Sequence, residues 1–342
     1  MNVLFIVEGI GGHNISYLRA LSQTKLYKSV IITPVYISEI DAEQIVYDDI
    51  VFPNKSFIKY KKWIMFIINE SKKKKYDVVH FIDGDTIMRF FGLGISKIVA
   101  DKHLITFHHF FSGLIRKVSY KCMLKCGIQA VVHTDNIKKQ LEKIINRNVN
   151  KVEYPSFTVT TPINKKANKI PILGAFGATR YEKGLDILLS ALECVNNPFV
   201  LLIAGAETEI KKSYIDNFIP KIKGKVICDL KFLSEDELKN YLDKTDIFVL
   251  PYRLNFDGAS GPLADGVARR KMIIGSNHGS LGELIEQNHI GVTFEAENID
   301  SLAHIIEQAI TEPFVYDETA LAYSQKLTVE NFIYTYYKIY TN

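Results

Sequence analysis

The sequence TDIFVLPYRLNFDGASGPLADGVARRKMIIGSNHGSLGELIE, residues 245–286, decides the fold class of this chain. Its apolar run, residues 247–250, has the length of a buried strand, and Pro251 ends that strand. The polar residues that follow therefore leave the carboxyl edge of a sheet. Ligands of open α/β sheets bind at this edge, so the sequence predicts a binding loop here.

The polar residues after this strand predict the start of a helix that can receive an anion. Gly258 and Gly261 flank Ser260, which is a good helix N-cap, and Pro262 suits the first helical position. A helix is therefore predicted to begin near Gly261, with free N–H groups and the positive end of its dipole facing the loop. Glycine lets a diphosphate approach the backbone closely, so the loop indicates a diphosphate site.

This region, together with FGATRYEKGLDILLSAL at residues 176–192, resembles the nucleotide-binding half of retaining GT-B glycosyltransferases of family 4. In that family a strand that ends in proline is followed by a Glu-x7-Glu element, a helix, a short strand, a Gly-Gly turn and a Glu-containing helix. Here Asp257 and Asp265 occupy the two glutamate positions, and Gly279-Ser280 replaces the Gly-Gly turn. The likeness covers nearly all of residues 170–310 and, more loosely, the N-terminal half.

The resemblance implies an α/β fold of GT-B architecture, in which two Rossmann-like domains face each other across a cleft. The sequence agrees, because apolar runs of strand length alternate with longer amphipathic segments, first in one half of the chain and then in the other. The predicted strands are residues 3–7, 30–33, 78–82, 104–107, 130–133 and 152–154 in the first half, and 172–176, 199–204, 226–228, 247–250 and 272–274 in the second.

Length and composition favour two domains. With 342 residues, 47% of them apolar, the chain can bury two cores of ordinary size, and the polar stretch 158–169 is the best linker candidate. The aromatic tail 328–340 predicts a helix that, by resemblance, crosses back to the N-terminal domain. The predicted division is an N-terminal acceptor-binding domain at 1–160, a nucleotide-sugar-binding domain at 161–325 and the returning helix at 326–342.

Charge and cysteine usage exclude other classes of protein. A net charge of +4 is too small for a dedicated nucleic-acid binder, so no nucleic-acid partner is expected. The four cysteines lack zinc-knuckle spacing and predict buried or free thiols in a reducing compartment. The chain begins directly with a strand and a glycine turn and has no run of about 18 apolar residues, which predicts a cytoplasmic protein.

The resemblance implies transfer of a sugar from a nucleotide sugar to an acceptor hydroxyl, with retention at the anomeric carbon and without a metal or other cofactor. The departing diphosphate gains negative charge, so fixed cations beside it lower the barrier. Lys183 and Arg180, in the loop that runs from Gly177 to Gly184, are the candidates. The family usually separates its arginine and lysine by more residues than the three here. Two solvated loop charges are the alternative for this pair.

Other residues are assigned to the donor by resemblance. Asp265, in the first turn of the predicted helix, is expected to accept two ribose hydroxyls, and Asp257 is expected to contact the donor sugar. Each acid also has a structural alternative, a helix-start residue for Asp265 and an Asx-type turn residue for Asp257. The predicted donor-binding positions are Gly11, Gly12, Gly177, Ala259, Ser260, Gly261 and Asp265.

In the first half, a glycine loop and a histidine are the candidates. Gly11 and Gly12 follow the first strand and match the family's N-terminal glycine loop, and His108 aligns with the histidine that lines the donor-sugar pocket. A structural turn and a structural histidine are the alternatives. No metal is expected at His108 and His109, because adjacent side chains on an extended backbone point apart.

Two further motifs have open interpretations. Asp83-Gly84-Asp85 imitates an Asp-x-Asp metal motif, but an acceptor-contacting loop and a plain turn are the stronger alternatives because it ends a strand in the N-terminal half. Residues 56–75 mix lysines with Tyr60, Trp63 and other apolar side chains. They predict either a peripheral membrane contact near a lipid-linked oligosaccharide or other glycan acceptor, or a helix whose apolar face packs on the sheet.

Function has two alternatives on the same fold. A sugar-nucleotide epimerase would act on the donor without an acceptor, since fold alone does not fix function. A non-catalytic protein that binds a sugar nucleotide or glycan would bind nucleotide and turn nothing over. The two aspartates at glutamate positions make this second alternative worth testing.

Overall fold

The computed structural model describes residues 1–11, 14–49, 55–125, 127–158 and 168–342. Within these ranges the chain forms two compact units, residues 1–153 with 329–342, and residues 154–328. The sequence placed the boundaries at 160 and 325. Most of the predicted linker, residues 159–167, lies outside the described residues.

The first unit is a seven-stranded parallel sheet with helices. The strands are β1 Asn2–Ile6, β2 Lys28–Thr33, β3 Glu43–Val46, β4 Val78–Phe81, β5 Lys102–Thr106, β6 Gln129–Val132 and β7 Asn150–Lys151, in the order β3-β2-β1-β4-β5-β6-β7. The helices are α1 Asn14–Ser22, α2 Phe57–Ser71, α3 Gly84–Ile87, α4 Leu114–Met123 and α5 Asp135–Ile145, with 3-10 turns at Met88–Phe90 and Ile95–Lys97.

The second unit repeats the plan with six parallel strands. The strands are β8 Ile172–Phe176, β9 Val200–Gly205, β10 Lys225–Leu230, β11 Ile247–Leu250, β12 Met272–Ser276 and β13 Gly291–Phe294, in the order β10-β9-β8-β11-β12-β13. The helices are α6 Leu185–Leu192, α7 Lys212–Asp216, α8 Glu235–Lys244, α9 Gly261–Ala268, α10 Gly279–Gln287, α11 Ile299–Ala309 and α12 Glu318–Lys326, with 3-10 turns at Tyr181–Lys183 and Ile219–Lys221.

The last helix, α13 Val329–Thr341, belongs to the first unit, which confirms the predicted return of the aromatic tail. Phe332, Tyr336 and Tyr340 of this helix are buried. The Tyr336 hydroxyl is 2.9 Å from the Thr106 hydroxyl, and Nδ1 of His80 is 2.7 Å from the Tyr340 hydroxyl. The buried hydroxyls of this helix are therefore hydrogen-bonded, which removes the main cost of placing tyrosines in a core.

The predicted parallel α/β architecture is confirmed, and two strands were missed. β3 and β13 stand at the edges of their sheets, and most of their residues are partly exposed. An edge strand covered on fewer sides needs no continuous apolar run, so its sequence carries a weaker signal. The prediction of a strand at 152–154 was wrong, because β7 ends at Lys151, although the Val152 N–H still donates to the Val132 carbonyl.

Helix α2 buries the aromatic pair of residues 56–75, and a peripheral membrane contact of its other face stays a prediction. Tyr60 and Trp63 are each only 1% exposed and pack in the core of the first unit. The large apolar side chains of this helix that remain exposed are Phe57, Ile58 and Met65. The aromatic pair that indicated a membrane-facing helix therefore belongs to the face that packs on the sheet.

Each sheet has one topological switch point, which is the place where the connections of two neighbouring strands run to opposite sides. In the first unit β1 lies between β2 and β4, and in the second β8 lies between β9 and β11. The connections from neighbouring strands leave in opposite directions there and open a crevice at the carboxyl ends. The loops at these two crevices are residues 7–11 and 82–85 in the first unit, and residues 177–184 and 251–260 in the second.

Candidate active site

Two glycines shape the loop after β8. Gly184 has φ +65°, and a Cβ at this position would overlap the carbonyl oxygen of Pro251, where β11 ends. Gly177 has φ +102°, and a Cβ there would lie 2.5 Å from Nζ of Lys183. A side chain at either position would thus be strained and obstructed. The glycines let the loop lie against the end of β11 with the lysine ammonium group folded over its first residue.

Lys183 lines a small cavity of about 30 Å³ together with Gly177 and Tyr252. Its Nζ is 5.9 Å from the centroid of the Tyr252 ring. Burial and the charge of Arg180 lower the pKa of Lys183 to about 8, against the opposing effect of Glu182. Lys183 stays largely protonated at neutral pH, and a bound anion would favour the protonated form further, because its charge offsets the cost of burial and the repulsion from Arg180.

Arg180 lies at the start of the 3-10 turn that ends at Lys183. Its guanidinium nitrogen is 3.1 Å from Oε1 of Glu182, and its side chain is 42% exposed. Its charge lowers the pKa of Tyr252 as well as that of Lys183, although burial raises the tyrosine pKa overall to about 12. The loop therefore presents two cations to one region, as the sequence predicted, and Glu182 partly neutralises one of them.

The loop after β11 has the predicted helix start. Ser260 is the N-cap of α9, and its Oγ accepts a hydrogen bond of 3.2 Å from the backbone N–H of Leu263. The helix begins at Gly261, as predicted, so Pro262 occupies the second helical position. A Cβ at Gly261 would meet no atom within 4 Å, so the space beside this residue is open. Ala259 lies directly before the N-cap serine.

Tyr252 was missed by the sequence analysis. It is buried, and its hydroxyl is 2.9 Å from Oγ of Ser260. The side chain thus connects the helix N-cap on one side with the ammonium group of Lys183 on the other. The only signal in the sequence was its place directly after the proline that ends a strand, a place where any polar or aromatic residue could stand.

Asp257 is held by the first turn of α10. Its Oδ1 accepts hydrogen bonds from the backbone N–H of Ser280 at 3.2 Å and from the Ser280 hydroxyl at 2.5 Å. Gly279, at the start of α10, has φ +58°. The carboxylate therefore joins the loop after β11 to the positive end of the next helix, a favourable place for an anion. Contact with a donor sugar stays a prediction.

Asp265 is engaged inside the second unit. Its Oδ1 accepts hydrogen bonds from the Ser156 hydroxyl at 2.6 Å and the Thr158 hydroxyl at 2.8 Å, and it lies 3.9 Å from the guanidinium of Arg269. Arg269 is only 3% exposed and also pairs with Asp243 at 2.7 Å. Burial raises the pKa of Asp265, and the two hydroxyls and Arg269 oppose that shift. Its role toward a ribose stays a prediction.

The switch point of the first unit contains the N-terminal glycine loop. Gly11 is exposed, and Gly12 lies outside the described residues. Helix α1 begins at Asn14, whose side-chain N–H donates to the Gly9 carbonyl at 2.9 Å and lies 3.5 Å from Oδ2 of Asp83. The loop after β1 is thus connected to the end of β4.

Glu8 is a buried acid at this switch point that the sequence analysis did not select. Ile6 of β1 pairs with Phe81 of β4, and Glu8 and Asp83 each follow these paired residues by two positions. Glu8 is only 2% exposed, and neither carboxyl oxygen has a hydrogen-bond partner among the described residues. Burial raises the pKa of Glu8 to about 7, a shift that the nearby Thr86 hydroxyl opposes and Asp83 reinforces.

His108 lies at the end of β5, where the sequence placed it. It is only 2% exposed, and its Nε2 donates to the Ile82 carbonyl at 2.7 Å. Its ring stacks edge-on against Tyr17 at 5.4 Å and lies 5.0 Å from the ring of His133. A histidine held on three sides has one ring orientation, which is needed for a group that lines a pocket.

The Asp-Gly-Asp motif forms a helix start. Asp83 precedes α3, and Gly84 is its first residue, where a Cβ would collide with Ile105 of the neighbouring strand. Oδ2 of Asp85 accepts the backbone N–H of His109 at 3.0 Å and lies 3.0 Å from Nδ1 of the same residue. Asp85 therefore positions the histidine segment. Among the described residues, no group of three or more side chains could hold a metal ion.

Comparison with known proteins extends the sequence resemblance. Residues 158–326 match the family Glycosyl transferases group 1. An uncharacterized glycosyltransferase of Methanocaldococcus jannaschii is 28% identical over 167 residues, which are 48% of this chain and 46% of that protein. The match thus spans less than half the length of this relative. It supports the family assignment for the C-terminal half of the chain.

Solved structures share the fold over the whole chain. Sucrose-phosphate synthase from Thermosynechococcus elongatus superposes with a TM-score of 0.78 and 15% identity, covering 99% of this chain and 98% of that one. HepE of Anabaena, solved in complex with UDP, superposes with a TM-score of 0.74 and 12% identity, covering 100% of both chains. At this identity the likeness shows the fold, which is GT-B.

No helix in the described part of the chain is both long and apolar enough to cross a membrane.

Proposed function

We propose that this chain is a glycosyltransferase that moves a sugar from a nucleotide-sugar donor to an acceptor hydroxyl, with retention at the anomeric carbon. The observation that carries the proposal is the cluster at the switch point of the second unit. There the ammonium group of Lys183 and the N-cap serine of α9 both contact Tyr252, and the charge of Arg180 acts on Lys183 and on Tyr252. The family match covers this unit, and UDP in the complex of HepE is the class of ligand that this crevice would take.

In the proposed reaction the cations act on the leaving group. As the bond between sugar and diphosphate breaks, negative charge grows on the phosphate oxygens and positive charge on the sugar. Lys183 and Arg180 would bind those oxygens most strongly at that moment, and N–H groups at the start of α9 would add their dipole. These groups replace a divalent ion in the proposal, so the reaction needs no metal.

The acceptor side of the proposal rests on the first unit. In the proposed retaining transfer, no carboxylate is placed as a nucleophile. The acceptor hydroxyl would attack the sugar on the face from which the diphosphate departs. The departing phosphate would take the proton of that hydroxyl. His108 would line the pocket of the donor sugar. The carboxyl oxygens of Glu8, which is buried, and of Asp83, which is partly buried, would accept hydrogen bonds from the hydroxyls of an acceptor. Acceptors of this kind include a glycan or a lipid-linked oligosaccharide in surface polysaccharide assembly.

A donor screen followed by product analysis tests the function. Thermal shift against UDP-, GDP-, ADP- and CDP-sugars identifies the donor, and incubation with and without glycan acceptors follows. We expect transfer that depends on the acceptor and leaves a nucleoside diphosphate. Conversion of the donor sugar without acceptor would instead show an epimerase. Saturable binding with no turnover across a broad acceptor panel would show a binding protein.

A further inference from the structure

Strand β10 forms one edge of the six-stranded sheet of the second unit. It is six residues long, and among the described strands only β9 pairs with it. All its residues are exposed or only partly buried. An edge strand of this length presents a row of backbone N–H and C=O groups to which another strand can bind.

The pairing with β9 shows which backbone groups of β10 point outward. The Lys225 N–H donates to the Phe199 carbonyl, just before β9, at 3.1 Å. In a parallel pair, alternate residues direct both their N–H and their C=O groups to the same neighbouring strand. Lys225, Ile227 and Asp229 therefore bond to β9, and the residues between them direct their backbone groups away from the sheet.

The side chains of β10 alternate between the two faces of the sheet. Val226 and Cys228 pack against the core of the second unit, so Lys225, Ile227 and Asp229 lie on the other face. Lys225 is exposed, and Ile227 is 37% exposed. This face of the edge strand thus has a cation, an apolar side chain and an anion at alternate positions.

This order of side chains is complementary to itself. When two such strands pair antiparallel about a two-fold axis at Ile227, Lys225 of each copy lies opposite Asp229 of the other. All three residues bond to β9, so they form the pairs without mutual hydrogen bonds, in which the facing side chains are closest. Val226 lies opposite Cys228 of the second copy, and the outward groups of these two residues bond to each other.

Asp229 is held in place for such a partner. Its Oδ2 accepts a hydrogen bond of 2.9 Å from the Tyr241 hydroxyl and lies 3.5 Å from Nζ of Lys231. Both contacts use the same oxygen, so within the described part of the chain Oδ1 accepts no hydrogen bond. The carboxylate can therefore receive an ammonium group from a second copy.

Phe232, two residues after β10, is the large apolar side chain with the greatest exposure among the described residues, at 88%. Exposing an aromatic ring of this size to water is unfavourable. In the antiparallel pair, the residues after β10 of one copy come beside the segment before β10 of the other. That segment would cover Phe232.

We propose that β10 joins two copies of this chain into a dimer, in which the two six-stranded sheets continue into each other across a two-fold axis. A two-fold contact uses the same surface on both copies, and the order Lys225, Ile227, Asp229 fits a second copy of itself. The inference concerns assembly and goes beyond the reaction proposed above. Its test needs neither donor nor turnover, so its result is independent of the donor and acceptor assays.

The experiment is sedimentation velocity of the full chain over a wide range of concentrations at low salt. We expect a dimer that dissociates on dilution. Lys225→Asp places like charges opposite each other in both copies, so it should raise the dissociation constant by at least about tenfold, and Asp229→Lys should do the same. An equimolar mixture of these two variants should form a heterodimer, because each changed residue then faces the opposite charge.

A backbone change tests the strand pairing itself. Val226→Pro removes an N–H that points away from β9, so the sheet of one copy keeps its hydrogen bonds while the dimer loses one on each side of the axis. This variant should also raise the dissociation constant by at least about tenfold. Its urea unfolding midpoint shows whether the fold is kept, and the mixture of charge variants decides the question if it is not.

Lys139→Asp is the matched control, because it makes the same charge change at an exposed lysine of α5 in the first unit. It should sediment as the wild type does. A wild type that stays monomeric over the whole range would overturn the proposal, and the lysines of β10 would then only shield an edge. A dimer that neither charge variant weakens, or that their mixture does not restore, would also overturn it.

Discussion

Nζ of Lys183 lies 5.9 Å from the centroid of the Tyr252 ring, and the hydroxyl of the same tyrosine is 2.9 Å from the N-cap serine, Ser260. One aromatic side chain thus contacts both the cation and the helix start that are proposed to receive the diphosphate. The two elements come from different strands, β8 and β11, which are neighbours in the sheet. Because these groups are already held in place, they can stabilise the charge of a transition state without a prior rearrangement of the protein.

Lys183→Ala should lower turnover by on the order of 10² to 10³, the usual cost of removing one preorganised charge-stabilising group. Steady-state rates of nucleotide release with a saturating donor measure the effect. Lys221→Ala is the matched control, because it removes an exposed lysine of the same unit that pairs with Glu193 at 3.4 Å, away from both loops of the switch point. A Lys183→Ala enzyme with turnover within threefold of the wild type would remove Lys183 from the mechanism.

Binding of a nucleoside diphosphate should weaken as pH rises from 7 to 9. The pKa of Lys183 is about 8, so free enzyme loses this charge across that interval, while the bound anion favours the protonated form. Isothermal titration calorimetry at several pH values, with proton uptake read from buffers of different ionisation enthalpy, measures the linkage. Lys183→Arg should remove most of the pH dependence, since arginine stays charged. A wild-type affinity that is flat over this range would contradict the assignment.

Asp265→Asn should weaken binding of the free nucleoside diphosphate by about 1.5 to 3 kcal/mol, the range for a hydrogen bond to a charged group. It should also lower the melting temperature, because Ser156, Thr158 and Arg269 lose the charge that they surround. Asp243→Asn separates the two effects. It pairs with the same arginine, so it should lower stability and leave nucleotide affinity unchanged. Wild-type affinity in the Asp265→Asn variant would make Asp265 purely structural.

Glu8→Gln should stabilise the protein above pH 7 and have little effect on stability near pH 4.5. The folded pKa of Glu8 is about 7, above its ordinary value of 4.5, so the native state holds a proton that the unfolded chain releases. The contribution of Glu8 to stability is therefore greatest at low pH and falls as pH rises from about 4.5 through 7, by up to about 3 kcal/mol. Urea unfolding at pH 5 and pH 8 gives the difference between variant and wild type. Equal stability differences at both pH values would show that Glu8 is not protonated in the fold.

Activity should survive excess EDTA, since Lys183 and Arg180 are proposed to replace a divalent ion. Rates before and after chelation, with the chelator then removed, give the comparison. Complete loss of activity that Mn²⁺ or Mg²⁺ restores would return attention to Asp83 and Asp85. Asp85→Asn is a second test of the metal-free proposal: it should disturb the His109 segment, and the remaining activity should still be insensitive to EDTA and to added metal.

Several local features could be predicted from sequence because neighbours along the chain decide them. Pro251 ends β11 and Ser260 caps α9, and both effects depend only on residues a few positions apart. The alternation of strands and helices likewise depends on local apolar periodicity. The sequence by itself therefore determined the fold class and the two loops that carry the candidate cations and the helix start.

Only the tertiary structure decided which side chains are buried and what they contact. The burial of Glu8 follows from the pairing of β1 with β4, which is distant in sequence. Asp265 accepts hydrogen bonds from Ser156 and Thr158, which lie more than 100 residues earlier in the chain. Tyr60 and Trp63 lie in the core while Leu114 and Ile115 lie in solvent, although both helices are apolar and basic in sequence. Burial and charge environment are set by partners distant in sequence, and no local pattern of residues contains that information.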